Sequence, residues 1–317
     1  MNGSIKLKLV LSLIALALIA TAVSIPVFGF TRAAPYAGPK AIASGIVPTP
    51  TGPPPKPTPP YEQANWTIQE GIPYATLPFG TFLLNIYTPK PAPQGNTPIV
   101  LFFHGCCNPA TNRDNALRLG HTPADPHEYM FRELLNNGYQ VATLDFPSEY
   151  PIVNAHGAEA GKAAVRFFRA NAATYKIDPT RIIAWASSAG GWIASIMGTA
   201  DKSAGLDIGQ YLNYSSRVEG VLDWFGLADL QYITSDDAPF LIQVGTHDDP
   251  MVISISKALF NALIKAHVFV QLQWVLNAGH KFVSKNGSTN PDYQGIANTA
   301  ITFLNAMVRD NPNPQPQ

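Results

Sequence analysis

The sequence predicts an α/β protein built on a mainly parallel, doubly wound sheet, and three observations carry that expectation. Short, almost wholly apolar blocks recur along the chain, of the kind buried on both faces of a parallel sheet. Stretches with helical periodicity separate them, as crossovers between parallel strands require. Two β-rich runs, Ile68–Tyr74 and Phe82–Tyr87, stand ahead of the first such block and read as a leading hairpin that adds antiparallel strands at one edge.

The blocks expected as parallel strands are Pro98–Phe103, Gln140–Leu144, Arg181–Ala186, Val218–Trp224, Pro239–Val244 and Val268–Leu276. Helices are expected around Glu128–Asn137, Ala158–Ala173, Ser188–Thr199, Ser254–Ala266 and Tyr293–Val308. Together they place one catalytic-size domain over residues 64–310. Lys plus Arg and Asp plus Glu both number 21 in 317 residues, so the net charge is zero, and no basic run offers a phosphate-binding stripe. Nucleic acid is therefore not an expected partner.

Ahead of the domain, Lys6 and Lys8 precede a mostly apolar run from Leu9 to Phe30, near the roughly 20 residues that span a bilayer as a helix. Residues 1–32 are expected to be either a signal peptide, cleaved after the small residues Ala20 and Ala22, or a retained N-terminal anchor. Both place the bulk of the chain outside the cytoplasmic membrane, with membrane contact confined to this segment. Residues 33–63, with VPTPTGPPPKPTPP at their centre, read as an extended proline-rich linker, and residues 311–317 as a disordered tail.

The clearest chemical signal is Ala186-Ser187-Ser188-Ala189-Gly190-Gly191, directly after an apolar strand and directly before a helix. A serine hydroxyl is a poor nucleophile unless a base removes its proton, and a sharp strand-to-helix turn lifts Oγ clear of the sheet. Such a turn needs small residues two positions before and after the serine. Gly190 supplies one and Ala186 the other, which selects Ser188 over Ser187. His280, in a loop after the last expected strand, is the candidate base. Between them Gly245-Thr246-His247-Asp248-Asp249-Pro250 ends another strand and offers the carboxylate that orients an imidazole. Asp248 is favoured because it stands three residues after Gly245. Asp249 is expected to cap the next helix or face solvent, and His247 to be a loop residue.

The chain order Ser, Asp, His is that of the α/β-hydrolase fold. There the loop after the third strand, Phe102-Phe103-His104-Gly105-Cys106-Cys107, is placed to form an oxyanion hole from the N–H groups of Cys106 or Cys107 and Ala189, with His104 holding the loop. The two adjacent cysteines are read as free thiols or a strained vicinal disulfide. His121, Asp125 and His127 are interrupted by Pro123 and Pro126, which suggests an exposed loop, and no third histidine or cysteine accompanies them, so no metal is expected; no glycine-rich nucleotide motif follows a strand.

With these residues in view, the stretch from about Gly71 to Phe282 resembles the bacterial esterase/lipase group that includes feruloyl and acetylxylan esterase domains (BD-FAE-like). GIPYA at Gly71, KAAVRFFRANAATYKIDPTRI at Lys162, SSAGGW at Ser187, YSSRVEGVLDWFGLADL at Tyr214, APFLIQVGTHDD at Ala238 and AGH at Ala278 carry the likeness. It implies a serine ester hydrolase without a cofactor, acting through an acyl-enzyme on short-chain or carbohydrate-linked esters, with Asp248 as the triad acid. A prolyl-oligopeptidase-like peptidase and a non-catalytic binding protein of the same fold are the alternatives. The chain departs from the group's pattern at Cys106 and Cys107, at Ala186, and at Asn85, where an aspartate is common. The segment between Leu230 and Pro239 is also shorter than usual, which implies a reduced cap over an open cleft.

Overall fold

The computed structural model describes residues 66–105, 113–114, 125–147, 155–283 and 292–310. The expected N-terminal segment, the proline-rich linker, Cys106, Cys107, His121 and the C-terminal tail lie outside the described residues. All described residues belong to one compact unit, 58–317. None of the helices described is long and apolar enough to cross a membrane.

Among the described residues the sheet has eight strands: β1 (Trp66–Leu77), β2 (Gly80–Pro89), β3 (Thr97–Phe103), β4 (Gln140–Leu144), β5 (Ile177–Ser187), β6 (Gly220–Trp224), β7 (Phe240–Gly245) and β8 (Val270–Val275), in the spatial order β1-β2-β4-β3-β5-β6-β7-β8. The β1–β2 and β2–β4 pairings are antiparallel, and every other pairing is parallel. The hairpin expected at one edge is therefore there, longer at both ends than the apolar pattern indicated. The β1–β2 ladder runs on through exposed residues such as Thr67, Thr76 and Thr81, so hydropathy fades before the ladder does.

The helices are α1 (Pro126–Asn136), α2 (His156–Ala170), the single turn α3 (Ala172–Tyr175), α4 (Gly190–Thr199), α5 (Pro250–Lys265) and α6 (Tyr293–Leu304). Both faces of the sheet are covered, and the two-residue period of the strands divides the core accordingly. Ile99, Leu101 and Phe103 of β3 pack with Ile182, Ala184 and Ala186 of β5 against α2, α4 and α5. Val100 and Phe102 pack with Ile183 and Trp185 on the opposite face, against α1 and α6. A strand buried on both faces cannot alternate polar and apolar residues, which is why these blocks read as unbroken apolar runs.

The helix starts have local causes. Asp125 caps α1 by accepting from the His127 N–H, and Asp249 caps α5 by accepting from the Met251 N–H, each followed by proline in the first turn. Asp292 caps α6 through the Gly295 N–H. The stretch from Gly226 to Pro239 contains no helix or strand, in keeping with a reduced cap.

Candidate active site

The parallel topology brings the C-terminal ends of β3, β5, β6 and β7 to one edge, where an open α/β sheet binds its ligands. Ser187 is the last residue of β5, buried and in register with Trp224. Ser188 is the first residue of the turn, with φ +54°, in the left-handed region that costs a non-glycine residue about 1–2 kcal/mol. Three hydrogen bonds hold it there: its N–H donates to the Trp224 carbonyl at 3.0 Å, and its own carbonyl accepts from Gly191 at 3.0 Å and from Leu227 at 2.9 Å. Glycine follows for a steric reason. A Cβ on Gly190 would lie 2.2 Å from the Phe103 carbonyl oxygen and one on Gly105 3.1 Å from Ser188 Cβ, so side chains at either position would push β3 away from the elbow.

His280 opens a short 3-10 turn, His280–Phe282, and its Nε2 lies 3.0 Å from Ser188 Oγ. Its Nδ1 lies 2.9 Å from Asp248 Oδ1, and the Asp248 side chain is fully buried. The two loops that carry them are tied together. His247 N–H donates to the Ala278 carbonyl at 2.8 Å and Asn277 N–H to Thr246 Oγ1 at 3.0 Å. Gly245 is needed at this seam, because a Cβ there would meet the Ala278 carbonyl oxygen at 2.2 Å. Asp248 Oδ1 also accepts from the Asp249 N–H at 2.7 Å, which fixes its carboxylate plane. Asp249 itself is exposed and occupied in capping α5, and the His247 side chain is exposed.

The structure thus assembles Ser188, His280 and Asp248, and it separates Ser187, Asp249 and His247 from them. Ala189 is buried directly after the nucleophile candidate. The N–H groups of Gly191 and Trp192 are already used by the carbonyls of Ser188 and Ala189. The other two residues assigned to the oxyanion hole, Cys106 and Cys107, lie outside the described residues. His104 is buried, with Nδ1 2.8 Å from the Gly105 carbonyl and its ring against Phe146, and burial holds its pKa below the ordinary histidine value. Asp125 and His127 hydrogen-bond to each other at the start of α1, with the His127 ring among Phe102, Trp185 and Trp224.

Two contributors were not singled out in the sequence. The Phe225 ring packs edge-on against the His280 ring at 4.8 Å and against Phe282 at 4.7 Å, walling the imidazole on one side. Asp223, one of the few charged residues in an otherwise apolar strand block, lies fully buried beneath the elbow. A carboxylate in the block VLDW is the sequence signal that points to it.

Residues 84–231 match the BD-FAE family model, a little under half of the chain. The match contains Ser188 and the turn after β6, while Asp248 and His280 lie beyond it. No curated protein matches the sequence. Among solved structures, the chain is similar to a truncated carbohydrate esterase from gut microbiota, with 21% identity, 78% of this chain and 99% of that one covered, and a TM-score of 0.61. It is similar also to Thermogutta terrifontis esterase 2 phosphorylated by paraoxon, at 19% identity, 81% and 98% coverage and a TM-score of 0.61. The butyrate-bound form of that esterase gives 18% identity over the same shares, again at 0.61. At such identities these likenesses show the fold. Together with the strand order they show the α/β-hydrolase fold, within which residues 84–231 are similar to the BD-FAE family.

Proposed function

We propose that the protein is a serine carboxylic ester hydrolase, acting on short-chain or carbohydrate-linked esters through an acyl-enzyme. The observation that carries this reading is the continuous relay of Ser188 Oγ, His280 and Asp248, with spacings of 3.0 and 2.9 Å. With Nδ1–H donated to the buried Asp248 carboxylate, His280 Nε2 is left as an acceptor facing the serine hydroxyl. Ser188 Oγ attacks the ester carbonyl while Nε2 takes its proton. The developing oxyanion is met by the Ala189 N–H and, on this reading, by N–H groups of Cys106 or Cys107. The imidazolium returns the proton to the leaving alkoxide, and water, activated by the same base, releases the acid.

The substrate class draws support from the neighbours. One is described as a carbohydrate esterase, and another holds propionate or butyrate in its solved forms. The helix-free stretch from Gly226 to Pro239 leaves little apolar wall for a long acyl chain on that side. The N-terminal apolar run supports a location outside the cytoplasmic membrane, tethered or released.

The test is labelling of the full chain with a fluorophosphonate, followed by kcat/KM across p-nitrophenyl esters of increasing acyl length, acetylated xylan, methyl ferulate and a dipeptide amide. Labelling confined to Ser188 and preference for C4 over C12 esters are expected. Faster turnover of the amide than of every ester would overturn the assignment in favour of a peptidase.

A further inference from the structure

The turn that follows β6, residues 224–227, holds the candidate nucleophile from both sides. The Trp224 carbonyl accepts the Ser188 N–H, the Leu227 N–H donates to the Ser188 carbonyl, and the Phe225 ring lies against His280. The turn is itself strained, since Phe225 has φ +41°. What braces it is the side chain of Asp223. On β6 this residue is in register with Ala186 of β5 and Ile242 of β7, so its carboxyl rises on the α2–α4 side, into the space between the first turn of α4 and the turn itself. There it takes the room that side chains would need: a Cβ on Gly226 would lie 1.9 Å from Asp223 Oδ1, and one on Gly191 2.8 Å from it.

We infer that Asp223 is a positioning residue for the proposed ester hydrolysis, its carboxyl wedged against Gly191 and Gly226 where their backbones meet, so that the 224–227 turn clamps the backbone of Ser188. The inference rests on the reading of Ser188 as nucleophile. It also explains Gly226, where a side chain would meet the carboxyl first, while Gly191 is required by the approach of the Gly226 and Leu227 backbone as well as by the carboxyl.

The wedge works only while the carboxyl is neutral. Both oxygens are buried without a partner of ordinary hydrogen-bond geometry among the described residues, and the backbone N–H of Gly226 offsets only part of the cost of burial. Its neighbours in register are Ala186 on β5 and Ile242 on β7, and Gly191 of α4 and Gly226 of the turn lie close to the carboxyl; none of them is titratable, and no charged side chain among the described residues acts on it. Burial accordingly pushes its pKa up to about 7. Above that value an unpaired carboxylate must draw in water or push the turn open. It also places negative charge under the helix start whose Ala189 N–H meets the oxyanion.

The experiment is the pH profile of kcat/KM for p-nitrophenyl acetate with the full chain, corrected for the uncatalysed rate, alongside fluorophosphonate labelling. The wild type should pass through a maximum and then fall about threefold or more by pH 9. Asp223→Asn, which keeps the shape without the charge, should hold its plateau. A wild-type plateau to pH 9, or an identical alkaline fall in Asp223→Asn, overturns the inference while leaving the esterase reading intact. Absence of both turnover and labelling at every pH overturns the esterase reading, and the inference with it. Should Asp223→Asn not fold, NMR titration of the wild type with 13C-labelled aspartate decides. A carboxyl midpoint coinciding with the alkaline limb supports the wedge, and none between pH 6 and 8 overturns it.

Discussion

Ser188, His280 and Asp248 act as one unit on the proposed reading, so removing any one should cost nearly as much as removing all three. Ser188→Ala and His280→Ala are each expected to lower kcat by ~10^4 to 10^6-fold with the fold retained, measured by steady-state kinetics and circular dichroism. Asp248→Asn should also be severe, because the amide presents the wrong partner to Nδ1–H. Asp249→Asn should leave kcat near wild type, since that side chain caps α5 and asparagine caps as well. A damaging Asp249→Asn would reverse the two roles. A second residue-scale pair concerns Asn85. Here Asn85 Oδ1 accepts from the Gly71 N–H, and its Nδ2 donates to Asp114 Oδ1 at 2.9 Å. Asn85→Asp would set two carboxylates against each other in a part-buried place and should lower the unfolding free energy, measured by urea titration, by about 1–3 kcal/mol. Asn85→Asp with Asp114→Asn restores one donor and one acceptor and should recover most of that loss. Failure of the double variant to recover would mean that the contact carries little energy.

At the scale of the element, the elbow is a collision avoided. Alanine is the better helix former by about 1 kcal/mol, and Gly190 opens α4, so propensity alone favours Gly190→Ala. Packing reverses the sign. The added methyl would meet the Phe103 and His104 carbonyl oxygens at 2.2 and 2.7 Å, both on backbone that cannot swing aside. Gly190→Ala is therefore expected to lower the thermal midpoint by several degrees and kcat by more than tenfold, because separating β3 from α4 also displaces the Ser188 turn. Unchanged stability together with unchanged kcat would show that β3 yields at no cost.

For the whole molecule, the pH dependence of stability follows from buried carboxyls without full compensation. Burial pushes Asp223 up to about 7 and Asp237 up to about 6. In each case the folded-state pKa lies above the unfolded value. The contribution to stability is therefore fully present below the unfolded carboxylate range and is lost as pH rises through about 6 to 7. The thermal midpoint should peak on the mildly acidic side and decline toward pH 8. Asp223→Asn, which has no charge to bury, should flatten much of that decline when midpoints are compared at pH 5 and pH 8. An equal decline in variant and wild type would place the titrating group elsewhere.

What the sequence by itself determined were features that depend on near neighbours along the chain. Apolar blocks buried on both faces show as unbroken runs, helices show by period, and a serine between small residues at a strand-to-helix junction marks the elbow. These are local, because side-chain period and turn geometry span only a few residues. Tertiary structure alone decided which of two adjacent residues turns toward the site. Asp248 and Asp249 are chemically identical in sequence. They differ because the Gly245 seam with Ala278 turns one carboxylate inward to His280 and leaves the other at the start of a helix. It also decided that β4 lies between β2 and β3, a crossover no local pattern encodes. The function of Asp223 was equally hidden, since a lone carboxyl in a strand acquires a role only when Gly191 and Gly226, brought from different parts of the chain, close over it and exclude the water that would otherwise ionise it.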